Sequence, residues 1–240
     1  LKLATHPENI ATEALAFILN RSPEARKVLA DFSSQLGIEF QSQLTYLTQS
    51  SNDDGSRPDL VGLDVEQKTR FVIEAKYWAG LTDAQPNSYL NSLPDEGALL
   101  LFVAPSKRLD TLWSELLRRC ADSGKQLNDP LSQTGEQRHI QVGNHILGVV
   151  SWRLLLDILS GALDRAGDRA GGADVQQLQG LCEQMDSEAF LPLHSEELSG
   201  CLGIRIVQFG QIASDLTDIL VNRGDASVKG LRATGGNGWF

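Results

Sequence analysis

"RPDLVGLDVEQKTRFVIEAKYW", residues 57–78, sets two apolar runs, 59–65 and 70–77, on either side of the polar stretch "EQKT". Short β-branched and aromatic runs around a polar break predict an antiparallel hairpin. Residues two apart on a strand share a face, so Glu74 and Lys76 project together while Ala75 points away with Ile73 and Tyr77. A turn about Glu66-Gln67 brings Asp59 opposite Glu74, on the same face. Two carboxylates so placed raise each other's pKa unless a cation lies between them, which predicts Mg²⁺, with Mn²⁺ as a substitute. Lys76 then orients or deprotonates an attacking water, or stabilises charge on a phosphate.

Working outward, Ile10, Ala14, Phe17 and Ile18 fall at helical spacing over 7–20. A second helix is expected from Pro23, with Ser22 as its N-cap and Gly37 as its stop. "IEFQSQLTYL", 38–47, alternates as a half-buried strand, "GALLLFVAP", 97–105, is apolar enough for a fully buried one, and "SKRLDTLWSELLRRCADSG", 106–124, is an amphipathic helix. One further strand is expected from about His139 to Val150, leading into a helix with Trp152 and Leu154–Leu159. Strands with flanking helices make an α/β core over residues 1–163. "DRAGDRAGGAD", 164–174, has the composition of a flexible linker, and 175–240 of a helical region that ends as though the chain continued.

The chain has 240 residues, 41% of them hydrophobic and 22% charged, enough for one large core without staples. Its three cysteines, Cys120, Cys182 and Cys201, form no CxxC pair and suggest neither a disulfide framework nor a zinc knuckle. No apolar stretch approaches a membrane span, and Glu8 and Glu13 sit where a signal peptide carries no acid. The expectation is a cytoplasmic protein with no membrane partner. The net charge of −10 opposes phosphate binding over the surface as a whole, although a carboxylate cluster filled by cations is locally less negative.

"RPD" at 57–59 followed by "IEAK" at 73–76 resembles the PD-(D/E)XK nuclease superfamily. "QPNSY", 85–89, resembles the QxxxY element of its RecB-like branches and sets Gln85 and Tyr89 one helical turn apart. "ENIATEALAFIL", 8–19, is similar to the N-terminal helix of a subgroup of these nucleases, and on that match Glu8 takes the place of the family's helical acid. Glu13 lies on the same helix and stays open as the alternative. The resemblance covers residues 7–110. It implies a restriction-endonuclease-like mixed sheet and metal-dependent phosphodiester hydrolysis, with Asp59, Glu74, Glu8 and the Ala75 carbonyl as ligands and Lys76 serving the water. DNA is favoured over RNA, in a restriction or phage-defence role. No Walker A loop and no cysteine cluster for iron–sulfur chemistry are present in the sequence.

Other readings compete. Asp59 after Pro58 also suits a turn boundary, Glu74 and Lys76 an ion pair on a solvated strand, and Gln85 and Tyr89 an ordinary amphipathic helix. His6, His139, His145 and His194 read as structural, with His139 and His145 six apart on one presumed strand and too distant to chelate by themselves. Trp78, Trp113 and Trp152 read as core fillers, Cys182 and Cys201 as apolar packing, and Arg118 and Arg119 as surface residues complementing a helix dipole. A silent nuclease-like interaction module of a larger assembly is the reading from another class, and an RNA-directed nuclease a third. A homodimer or a partner protein is compatible with all three.

Overall fold

The computed structural model describes residues 7–40, 43–48, 57–77, 79–128, 135–187, 202–227, 233–234 and 238–239. His6, Trp78, His194, Cys201, Phe240 and the helix start expected at Ser195 lie outside them. The chain divides into two compact units, Leu1–Leu191 and Pro192–Phe240. In the second, helix α7 (Leu202–Arg223) is followed by a two-stranded ribbon, Ala233–Thr234 against Gly238–Trp239.

The first unit is a mixed α/β layer structure. Its elements are α1 (Pro7–Arg21), α2 (Pro23–Gln35), β1 (Thr45–Thr48), β2 (Leu60–Leu63), β3 (Thr69–Ala75), α3 (Asn87–Ser92), β4 (Leu99–Ala104), α4 (Leu109–Asp122), β5 (Leu127–Asn128), β6 (Gln137–Val142), β7 (His145–Ser151), α5 (Trp152–Ala166) and α6 (Arg169–Ser187). The seven strands form one sheet in the order β1-β2-β3-β4-β7-β6-β5. β3, β4 and β7 run parallel in its centre, and antiparallel strands extend both sides. β4 is buried along its whole length, as a strand between two parallel neighbours with helices on both faces must be.

Alternation along the strands separates two cores. Phe71, Ile73, Ala75 and Tyr77 of the β3 run pack on one face beneath α1, α2, α5 and α6. Val72 faces the other way with Leu100, Phe102 and Val149, beneath α3 and α4. Helix starts follow local chemistry: the Ser22 hydroxyl accepts from Ala25 N at 3.2 Å, and the Ser151 hydroxyl from Leu154 N at 2.9 Å. Edge strand β1 is tied to α1 by Asn20, whose amide donates to Tyr46 O at 2.8 Å and whose carbonyl accepts from Tyr46 N at 3.1 Å.

Three expectations are corrected. The strand read from His139 to Val150 is two strands, because Gly143 at φ +60° opens a tight turn with Asn144 and folds β7 back on β6. His139 therefore lies opposite Gly148, and His145 opposite Val142, on different strands. The stretch expected as a linker, 164–174, holds the end of α5, a left-handed cap at Gly167 (φ +73°) and the first turns of α6. Val175, Leu178, Cys182 and Met185 of α6 belong to the core, so residues up to 187 join the sheet's own unit. Of the alternating run 38–47, only Thr45–Thr48 extends as a strand among the described residues.

Candidate active site

β2 and β3 pair antiparallel with Leu60 opposite Ile73, so the register carries Asp59 opposite Glu74. The turn is fixed by Asp64, whose Oδ1 accepts from Glu66 N and Lys68 N, each at 2.9 Å, while Gln67 takes a positive φ of 63°. A bulge at Gly62/Leu63 absorbs the odd residue without moving Asp59 from its place.

Glu74 and Lys76 are both 5% exposed, on the α3–α4 face. A buried carboxylate needs partners. Glu74 has three. Lys76 Nζ stands 2.9 Å from its Oε1, Gln85 Nε2 donates to the same oxygen at 2.7 Å, and the Tyr89 hydroxyl donates to Oε2 at 3.1 Å. Gln85 Nε2 also donates to the Tyr89 hydroxyl at 3.0 Å, closing the group. Tyr89 comes from α3, and Gln85 sits just before it, so their side chains meet above the strand end. Burial, and then the Glu74 charge, push the Tyr89 phenol up, keeping it a donor.

Asp59 is half-buried and accepts from Ala75 N at 2.8 Å through Oδ2. Burial, then the charges of Glu74 and Glu8, push its carboxyl up to about 7, against the lowering pull of the Ala75 hydrogen bond and of Lys76. The N–H and C=O of one strand residue point to the same side, so the Ala75 carbonyl shares the edge on which Asp59 lies. Glu8 arrives from α1, in the opposite layer, and its Oε1 accepts from Tyr77 N at 2.6 Å across the end of β3. Glu13 is solvent-exposed and has no part in this group.

Two residues not singled out from the sequence adjoin the site. Arg108, buried just before α4, donates to Lys76 O at 3.2 Å and to Ala79 O at 3.1 Å. Tyr77 stacks on Trp152 with centroids 5.8 Å apart and donates to Cys182 Sγ at 2.8 Å, pinning the end of β3 to α5 and α6. Neither contact follows a spacing rule, so no sequence signal pointed to them. Arg119 is corrected: far from being a surface dipole partner, it turns inward to the loop before α3, whereas Arg118 remains exposed with Glu115 and Asp122. Trp113, Trp152 and Cys182 are buried in the core.

The arrangement offers carboxylates from three elements, a backbone carbonyl and an amine. Among the described residues no three His, Cys, Asp or Glu side chains are grouped closely enough to hold an ion as they stand. Protein donors reach both oxygens of Glu74 and Oε1 of Glu8, while Asp59 has the Ala75 N–H and is raised by burial and by its two carboxylate neighbours. Among the described residues no helix is long and apolar enough to cross a membrane. Compared with protein-family models, with curated proteins and with solved structures, the chain matches none.

Proposed function

We propose that the chain is a metal-dependent nuclease with a site of the PD-(D/E)XK type on a restriction-endonuclease-like sheet, cutting DNA in the cytoplasm in a restriction or phage-defence role. The observation that carries this is the convergence on Glu74 of Lys76, Gln85 and Tyr89, with Asp59 opposite across the hairpin. An ion pair on a solvated strand would not be 5% exposed, nor need two further donors from a second element.

The donor set suits a hard divalent cation: oxygen ligands only, from Asp59, Glu74, the Ala75 carbonyl and Glu8. Burial first, and then the charges of Glu74 and Glu8, raise the Asp59 carboxyl, and a bound cation would favour its ionised form. Such a cation would supply a hydroxide at neutral pH and offset the charge of the phosphate. The chain's own groups do the rest. Gln85 and Tyr89 fix the Glu74 carboxylate, Ala75 N fixes Asp59, and Lys76 presents its ammonium to a water or a phosphate oxygen.

The test is cleavage of supercoiled, linear and single-stranded DNA and of RNA with Mg²⁺, Mn²⁺ or EDTA, beside folded Glu74→Ala and Lys76→Ala proteins. Metal-dependent cutting lost in both variants supports the reading and identifies the substrate. One observation favours a second reading, a silent interaction module. Both Glu74 oxygens already hold protein donors, in a chain of net charge −10. Absence of both cutting and metal affinity would select it.

A further inference from the structure

Between Lys76 and Tyr89 the chain must deliver an amine, an amide and a phenol to one carboxylate, yet 79–86 contains neither strand nor helix and most of 79–84 is exposed. Such a loop on its own leaves the donors loosely placed. Helix α4 supplies what it lacks. Arg108, just before the helix, grips the carbonyls of Lys76 and Ala79. Arg119, three turns on, grips those of Thr82 and of Gln85, the latter at 3.1 Å, and reaches Leu81 O at 3.5 Å. Both arginines spring from one rigid support, since Leu112, Trp113 and Leu116 seat α4 in the core.

We infer that α4 is the brace of the site and that Arg108 and Arg119 are positioning residues, Arg108 for Lys76 and Arg119 for Gln85 and through it Glu74.

The choice of arginine supports this. Thr82 is exposed and its carbonyl would be satisfied by water, so bonding it to protein adds little net stability, whereas the buried Lys76 carbonyl depends on Arg108 for a donor. Burying a guanidinium, by contrast, has a cost, and Arg108 is 7% exposed with its Nε lacking a partner. What the clamps contribute is placement. A planar fork with five donors spans several carbonyls at fixed angles, which an ammonium cannot do. Arg119 is itself oriented by Glu115, whose Oε1 accepts from its Nε at 2.7 Å. The loop is also tied by Asn87, whose amide donates to Arg119 O at 3.0 Å.

The inference rests on the nuclease reading for its effect on turnover, but not for its geometry, so the test has two arms. In the first, the side-chain amide exchange of Gln85 is followed by ¹⁵N NMR in the wild type, Arg119→Met, Arg119→Lys and Arg118→Met. Exchange should accelerate about tenfold or more in both Arg119 variants and stay as in the wild type in Arg118→Met. In the second, Mg²⁺-dependent cleavage should show kcat falling about ten- to a hundredfold in Arg119→Met and Arg108→Met, with KM within about threefold. Gln85→Ala/Arg119→Met should then be no slower than Gln85→Ala, because the two act through one contact. Unchanged Gln85 exchange, or losses that multiply in the double variant, overturns the inference. If the wild type cuts nothing, the nuclease reading fails and the exchange arm alone decides the brace. Should Arg119→Met not fold, Arg119→Lys carries both arms.

Discussion

Asp59 and Glu136 hold the same position in two hairpins of one sheet. Each immediately precedes the first strand, β2 or β6, and each lies opposite the end of the second, Asp59 facing Glu74 and Glu136 facing Ser151. Their environments differ in sign. Burial alone would raise Glu136, but hydrogen bonds from Arg153, from Ser106 at 2.9 Å and from Ser151 at 3.2 Å outweigh it and hold the carboxyl below its usual range. Burial, and then the charges of Glu74 and Glu8, push Asp59 up to about 7, because its one backbone donor and the nearby Lys76 do not outweigh them. Donors on every side account for the Glu136 carboxylate within the fold, whereas a half-buried carboxylate beside two others is the kind of perturbed group that marks a candidate functional position.

The largest contrast should be in turnover. Glu74→Gln keeps the shape of the group and should lower metal-dependent cleavage about a thousandfold, whereas Glu136→Gln should leave it within about twofold, measured as initial rates on the same DNA. Equal losses would erase the distinction.

Stability should separate the two in opposite directions. The folded pKa of Asp59 lies above its unfolded value of 3.8, so the native state binds the extra proton, and stability falls as pH rises from about 4 to about 7. Asp59→Asn removes that loss and retains an acceptor for Ala75 N. In EDTA at pH 8 the variant should be more stable than the wild type by about 1–3 kcal/mol, a rise in Tm of several degrees, with no gain near pH 4. For Glu136 the folded pKa is depressed, so its contribution is complete above its unfolded value of 4.5 and disappears as pH falls through the folded pKa. Glu136→Gln should cost about 1 kcal/mol at pH 7, vanishing in acid, as read from urea midpoints. Smallest of all is a change in the first hairpin's turn: Gln67→Gly relieves a positive φ and should add about 0.5 kcal/mol without altering cleavage.

The same pair of hairpins explains what could be read in advance. The first was legible because its five-residue turn is polar and its strands change face at every residue, so parity alone placed Glu74 and Lys76 together and the register placed Asp59 opposite. The second was not, because Gly143-Asn144 interrupts "HIQVGNHILGVV" so briefly that the apolar run hides the reversal. At 164–174, small residues suggest slack, but Gly171 and Gly172 are buried in the first turns of α6, where Gly171 N donates to the Asp168 carboxylate at 2.9 Å and lack of a side chain leaves room for it. Gln85, Tyr89 and Glu8 came from a resemblance, and the geometry brings each to the end of β3. Arg108 and Arg119 left no trace in pattern, since a side chain reaching the carbonyls of a distant loop obeys no period.

The most direct measurement is calorimetric titration of the purified chain with Mn²⁺ at pH 7, in the wild type, Asp59→Asn and Glu136→Gln. Saturable binding is expected in the wild type and in Glu136→Gln, and its loss in Asp59→Asn. Absence of binding in the wild type, or equal affinity in Asp59→Asn, would contradict the proposed metal site.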